Sequence, residues 1–162
     1  MFDSLSYLTC LFNSGFGLIN LEKSLPLNGS NELNAFIVNN RPLNDGNADH
    51  IVLETKNCSN SEVSVTLSWY DQPGYVNCAK CLINDLDLSI QKGGKLFFPN
   101  AGDSPDRLNN VERIRLNVTA GEEVKIVVKA QNLATSPQKY SLIATGCFVA
   151  IDEKSTSGIL PC

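Results

Sequence analysis

The amino-acid sequence predicts an all-β fold: a two-sheet antiparallel β-sandwich, jelly-roll-like, of about eight strands, with a short N-terminal helical appendage. Apolar and polar residues alternate in residues 63–69, 86–90 and 114–118, which is the period of strands with one buried face. Turn sequences such as Gly93-Gly94 and Ala120-Gly121 separate segments of this kind. The length of 162 residues suits one hydrophobic core with a short appendage.

The remaining elements follow from weaker local patterns. Residues 124–130 alternate in the same way, although Val127 interrupts the polar side. Near the N-terminus, Asn20 can cap a short helix over residues 21–25, and Pro26 ends it. Weaker alternation predicts further strands at residues 35–38, 51–55, 95–98 and 140–145.

Composition and charge argue against several classes of function. The net charge is −4 and the basic residues are scattered, so no basic surface is predicted for nucleic acid or for an anionic membrane. No apolar run approaches the about 20 residues of a membrane-spanning helix. Met1–Leu11 is mildly apolar, but it lacks a basic flank and contains Asp3, which makes a poor signal peptide. We expect this stretch to be the start of a fragment, with the natural N-terminus upstream.

Cysteines and glycosylation sequons favour the secretory pathway or the extracellular space. The chain has six cysteines, and an even number is typical of a disulfide framework in an oxidising compartment. Three Asn-x-Ser/Thr sequons make Asn28, Asn57 and Asn117 candidates for glycosylation. The disulfide candidates are Cys58, Cys78, Cys81 and Cys147.

Cys78 and Cys81 have the spacing of a zinc knuckle or of a redox pair. Zinc would need a second pair of Cys or His ligands, and a redox motif would need a βαβ setting, whereas the surroundings here are all β. Disulfide bonding is therefore favoured, either within this loop or to Cys58 and Cys147, and the pairing stays open. Free thiols are the alternative for a protein made in the cytoplasm.

Four sequence strings resemble the subtilisin-like serine proteases, the subtilases. GFGLIN at residues 15–20 is similar to the segment that ends many of their catalytic domains. TLSWYDQPG at 66–74, NDLDL at 84–88 and DRLNNVE at 106–112 resemble strings of the jelly-roll domain that follows the catalytic domain in some members. The strings stand in family order, and the resemblance spans roughly residues 15–146.

The resemblance implies a non-catalytic accessory domain of a secreted endopeptidase, with the catalytic domain of the same parent as its partner. Residues 1–30 would be the tail of that catalytic domain, residues 31–148 the sandwich and residues 149–162 a C-terminal tail. The chain alone is not expected to be an enzyme, because a Ser/His/Asp triad needs a nucleophile, a base and an orienting carboxylate. The sole histidine, His50, lacks the glycine-rich context of the subtilase histidine, and no serine lies in a G-T-S-x-A string.

Acidic residues near the NDLDL and DRLNNVE strings predict a structural calcium site, the one cofactor expected here. Asp85 and Asp87 project from the same face of a strand and would repel unless a cation lies beside them. Calcium takes several oxygen ligands from carboxylates, amides and carbonyls, and subtilases often carry it. The alternative is a hydrogen-bonded network in which these two carboxylates bind loop amides or Arg107. The candidate calcium ligands are Asp85, Asp87, Asp106, Asn110 and Glu112.

A second interpretation is an independent jelly-roll binding module for a carbohydrate or a protein ligand. It would need a concave face with exposed aromatic residues. The sole tryptophan, Trp69, lies at the inward phase of its predicted strand, so it is expected in the core. This argument favours the accessory domain over the binding module.

Overall fold

Nine β-strands and one short helix form the part of the chain that the computed structural model describes, which is residues 18–27, 32–58, 61–100 and 102–154. The elements are α1 Leu21–Ser24, β1 Asn34–Leu43, β2 Ala48–Thr55, β3 Glu62–Trp69, β4 Asn84–Lys92, β5 Lys95–Phe97, β6 Val111–Asn117, β7 Glu123–Leu133, β8 Gln138–Gly146 and β9 Phe148–Lys154. None of the helices in these ranges is long and apolar enough to cross a membrane.

The strands pair in two antiparallel sheets whose order is that of a jelly roll. The four-stranded sheet has the order β1-β8-β3-β6, and the five-stranded sheet has the order β5-β4-β7-β2-β9. Strands that follow one another along the chain mostly lie in opposite sheets, as the Greek-key connections of a jelly roll require. The predicted fold class is confirmed, including the short helix near the N-terminus.

The additional strand, β9, pairs with β2 at the edge of the five-stranded sheet, in register from Thr55↔Phe148 to His50↔Lys154. The sequence analysis placed residues 149–162 in a tail without a strand. The proposed division at residues 30 and 148 stays a prediction.

The core lies between the sheets and consists of the apolar residues at the inward phase of each strand. In β3 the buried residues Val63, Val65, Leu67 and Trp69 alternate with half-buried polar ones. The inward residues of β4, β6 and β7 follow the same rule. The predicted alternation therefore corresponds to real burial, and the predicted position of Trp69 in the core is confirmed.

Connections at one end of the sandwich carry most of the polar contacts between loops. They are the turn between β1 and β2 and the loops β3–β4, β5–β6 and β7–β8, and we call this the loop end. Asp45 Oδ1 accepts a hydrogen bond from Leu133 N at 2.8 Å, and Asn84 Nδ2 donates to Thr135 O at 2.9 Å. The Cys58–Cys147 disulfide lies at the opposite end, where it links the segment after β2 to the residue between β8 and β9.

Candidate functional site

Three of the four subtilase-like strings meet at the loop end. The Trp69 indole donates a hydrogen bond to Asn84 O at 2.9 Å, and Asn110 Nδ2 donates to Trp69 O at 3.0 Å. These bonds join the end of β3, the start of β4 and the segment before β6. We call the connected residues the motif cluster: Trp69, Asp71, Asn84, Asp85, Asp87, Arg107, Asn110 and Glu112.

Asp71 closes the long β3–β4 loop by binding backbone amides on both of its sides. Its carboxylate accepts hydrogen bonds from Ile83 N at 2.8 Å and from Asn84 N at 2.9 Å. It also accepts one from its neighbour, Gln72 N, at 2.9 Å. A carboxylate satisfies several backbone donors at once, and such charge-assisted bonds are stronger than neutral ones. The aspartate of the TLSWYDQPG string therefore has a structural role.

Asn84 is buried, and its side chain ties the start of β4 to the β7–β8 connection. Its Nδ2 donates to Thr135 O at 2.9 Å and to Gln138 Oε1 at 2.7 Å. Its Oδ1 accepts from Thr135 N at 3.0 Å. Both donors and the acceptor of the amide are in use, as expected for a buried asparagine that specifies one arrangement of the loops.

Arg107 neutralises the paired aspartates of the NDLDL string. Its Nη1 lies 2.8 Å from Asp85 Oδ2 and 3.1 Å from Asp87 Oδ1. Both carboxylates are nearly buried. Burial raises the pKa of Asp87, while the charge of Arg107 acts in the opposite direction. The guanidinium therefore supplies the positive charge that two carboxylates on one strand face require.

Glu112 is the most deeply buried carboxyl group of the motif cluster. Its Oε2 accepts a hydrogen bond from Leu88 N at 2.6 Å, whereas its Oε1 is buried with no hydrogen-bond partner among the described residues. Burial raises the pKa of Glu112 to about 9, and repulsion from Asp106, Asp87 and Asp85 adds to this effect. The side chain is therefore a neutral acid at neutral pH.

The five candidate calcium ligands do not converge as a cation site would require. Among the described residues, no three of the acidic candidates bring their oxygens within 4.8 Å of one another. Asp106 instead accepts hydrogen bonds from Asn100 Nδ2 at 2.5 Å and Leu108 N at 2.8 Å, and Asn110 donates to a backbone carbonyl. One oxygen each of Asp85 and Glu112 is buried without a hydrogen bond, but Arg107 already neutralises Asp85. As arranged, the residues do not fit calcium, and calcium binding stays a prediction.

Thermal unfolding with added calcium and with a chelator separates the two interpretations of the motif cluster. We expect the same midpoint in both conditions, because Arg107 provides the balancing charge. A calcium site would instead raise the midpoint with calcium, since a ligand stabilises only the state that it binds. A rise that disappears in Asp87→Asn would restore the calcium site.

Replacing Arg107 by Gln is expected to lower the free energy of unfolding by about 2 kcal/mol, because it leaves two nearly buried carboxylates without their positive partner. Arg107→Lys keeps the charge and serves as the control, with a smaller expected loss. Urea denaturation of the three proteins at one pH measures both effects. Equal stability of wild type and Arg107→Gln would contradict the network.

Two disulfides use the four candidate cysteines, with Cys58 bonded to Cys147 and Cys78 bonded to Cys81. The pairing that the sequence left open is therefore the one within the β3–β4 loop. Asn57 and Asn117 are exposed, which is compatible with glycosylation, and both stay predictions. Asn28, a further glycosylation candidate, lies outside the described residues.

A second polar network, which the sequence analysis missed, crosses the core near the loop end. The Tyr140 hydroxyl donates a hydrogen bond to Asp49 Oδ2 at 2.5 Å, and Arg41 Nη1 lies 3.9 Å from the same oxygen. Burial raises the pKa of Tyr140, and the bond to Asp49 raises it further. Asp49 shares the inward phase of Ile51 and Leu53, so the alternation of β2 contained the signal.

His50 lies in β2 and is half-buried. Its backbone pairs with Val127 on one side and Lys154 on the other. Its Nδ1 is buried and has no hydrogen-bond partner among the described residues, whereas a triad histidine donates from one ring nitrogen to an orienting carboxylate.

Comparison with known proteins relates the chain to a protease by name. No protein-family model matches it. It is similar to a Dictyostelium discoideum protein called Serine protease/ABC transporter B family protein tagB, with 32% identity over 96 residues. The match covers 52% of this chain but 5% of that protein, so the chain spans a small part of its relative. The chain is thus similar to one segment of a much longer, protease-named protein.

Proposed function

We propose that this chain is the non-catalytic C-terminal accessory domain of a secreted subtilisin-like serine endopeptidase, and that it stabilises the catalytic domain. The observation that carries the proposal is the role of the motif cluster. Residues of three subtilase-like strings, among them Asp71, Asn84 and Arg107, hold loops of a jelly roll together. The partial similarity to a protease-named protein supports the same context.

The N-terminal segment offers an apolar surface for the proposed partner. Leu18 is 100% exposed and Ile19 is 88% exposed, and Leu21 at the start of α1 is also exposed. Leu18 and Ile19 belong to the string that resembles the end of a subtilase catalytic domain. Adjacent exposed apolar residues are typical of an interaction site, and the catalytic domain of the same parent would cover them.

Two disulfides and two exposed sequons support secretion of the parent protein. Disulfides form and persist in oxidising compartments. Glycans at Asn57 and Asn117 would extend into solvent without disturbing the core. Peptide mapping of the secreted protein after glycosidase treatment would detect them.

Labelling with a fluorophosphonate, which reacts with activated serines, tests the assignment of the chemistry. We expect the full-length parent to be labelled and to digest casein, while the chain of residues 1–162 does neither. Labelling or casein digestion by this chain would contradict its non-catalytic role. A parent protein that is not labelled would contradict the protease context.

A further inference from the structure

A groove crosses the outer face of the four-stranded sheet next to the loop end. Its volume is about 490 Å³, which is within the range of small-molecule binding sites. It runs over the neighbouring strands β1, β8 and β3. The residues that determine its chemistry are Asn40, Ser68, Tyr70, Pro137, Lys139 and Ser141.

Neutral hydrogen-bonding groups dominate the lining of this groove. Asn40 contributes an amide, and Ser68 and Ser141 contribute hydroxyl groups. Lys139 is the one charged residue among those that line it. A ligand that fits these walls therefore carries many hydroxyl or amide groups and little net charge, which excludes phosphorylated and polyanionic molecules.

Tyr70 provides an exposed aromatic surface at the groove. The residue is 91% exposed, although aromatic side chains usually bury most of their area. Its backbone is fixed, because Gln138 Nε2 donates a hydrogen bond to Tyr70 O at 3.1 Å. Trp69, the preceding residue, is 5% exposed and belongs to the core. The exposed aromatic residue that a binding module requires is thus the tyrosine and not the tryptophan.

A β-bulge shapes the opposite wall of the groove. The register between β1 and β8 shifts between Val38 and Arg41, and Asn40 has a positive φ of 54°. Its backbone amide donates to Ser141 Oγ at 3.2 Å, and this hydroxyl in turn donates to Asn39 Oδ1 at 3.1 Å. Bulges redirect side chains and are common next to binding sites.

We propose that this groove binds a neutral oligosaccharide. A sugar ring has an apolar C–H face that packs on an aromatic ring, and hydroxyl groups that pair with amides and hydroxyls. The groove places Tyr70 together with Asn40, Ser68 and Ser141 in this combination. An extended peptide would instead add along a free strand edge, whereas the groove crosses three paired strands. The chain would then bring a protease to a glycan-bearing surface or substrate.

Titration of the full chain with chitotriose, mannotriose and cellotriose, each to millimolar concentration, tests the proposal. Calorimetry and amide NMR shifts are the readouts. We expect saturable binding of at least one trisaccharide, with shifts at Asn40, Ser68 and Ser141. We expect Tyr70→Ala to weaken binding by about tenfold, because it removes an aromatic contact of about 1 kcal/mol.

Tyr75→Ala is the matched control, since Tyr75 is 83% exposed in the same loop but does not line the groove. Its affinity should equal that of the wild type. Absence of binding by all three sugars would overturn the proposal, as would equal weakening by the two tyrosine variants. Binding of casein-derived peptides in place of the sugars would assign the groove to a peptide and also overturn it.

Discussion

Replacing Cys58 and Cys147 together by alanine is expected to lower the free energy of unfolding by about 5 kcal/mol, because their disulfide closes a long loop. The two cysteines are 89 residues apart, so the bond removes much of the conformational freedom of the unfolded chain. Both lie at the end of the sandwich opposite the motif cluster, and the substitution leaves the motif cluster unchanged. Urea denaturation of the variant and the wild type under oxidising conditions measures the difference.

The Cys78→Ala/Cys81→Ala variant is the control within the same chain. Its cysteines are 3 residues apart, and the same loop-entropy relation gives a loss of about 2 kcal/mol. The ratio of the two effects is thus the informative quantity. A larger loss for the short loop than for the long one would contradict the assigned stabilising role of Cys58–Cys147.

Replacing Glu112 by glutamine is expected to stabilise the protein at neutral pH by about 3 kcal/mol, because the carboxyl group then no longer needs to be kept protonated. Burial raises its pKa from 4.5 to about 9. Between these values the folded chain holds a proton that the unfolded chain has released. The contribution of Glu112 is therefore fully present below pH 4.5 and is lost as the pH rises to about 9.

The pH dependence gives this prediction its sharpest readout. Wild-type stability should fall by about 1.4 kcal/mol per pH unit over the upper part of that range, whereas Glu112→Gln should show a much flatter profile. Asp87 also has a raised pKa, so a smaller slope remains near the usual carboxylate range. Glu112→Ala is the contrast, since it leaves Leu88 N without its acceptor and should destabilise. Parallel pH profiles for wild type and Glu112→Gln would contradict the burial of a neutral acid.

Local alternation was sufficient to predict the strands of the core. In β3 the chain buries every second residue from Val63 to Trp69, and such half-burial imposes a period of two on the sequence. Strand β9 escaped prediction because it depends on a distant partner. It exists through pairing with β2, from His50↔Lys154 to Thr55↔Phe148, and no local pattern reports such a partner.

The residues of the motif cluster could be named from the sequence, but their roles could not. Asp85 and Asp87 were rightly expected to share a face and to need a positive partner, yet only the folded chain brings Arg107 to them. Glu112 shares the inward phase of Ile114, so alternation had indicated a buried carboxyl group where a calcium ligand was expected. A carboxylate serves a cation, an arginine or a backbone amide equally well, and tertiary placement decides among them.

The thermal stability of the parent protease with and without residues 31–162 tests the accessory role most directly. The full-length protein, a version that ends at residue 30 and the full-length Cys58→Ala/Cys147→Ala variant would be heated and assayed for casein digestion. We expect the truncated enzyme to lose activity several-fold faster than the full-length protein, with the disulfide variant between them, because the sandwich stabilises the catalytic domain only while it is folded. Equal inactivation rates for all three proteins would contradict the role of this jelly roll as a stabilising domain.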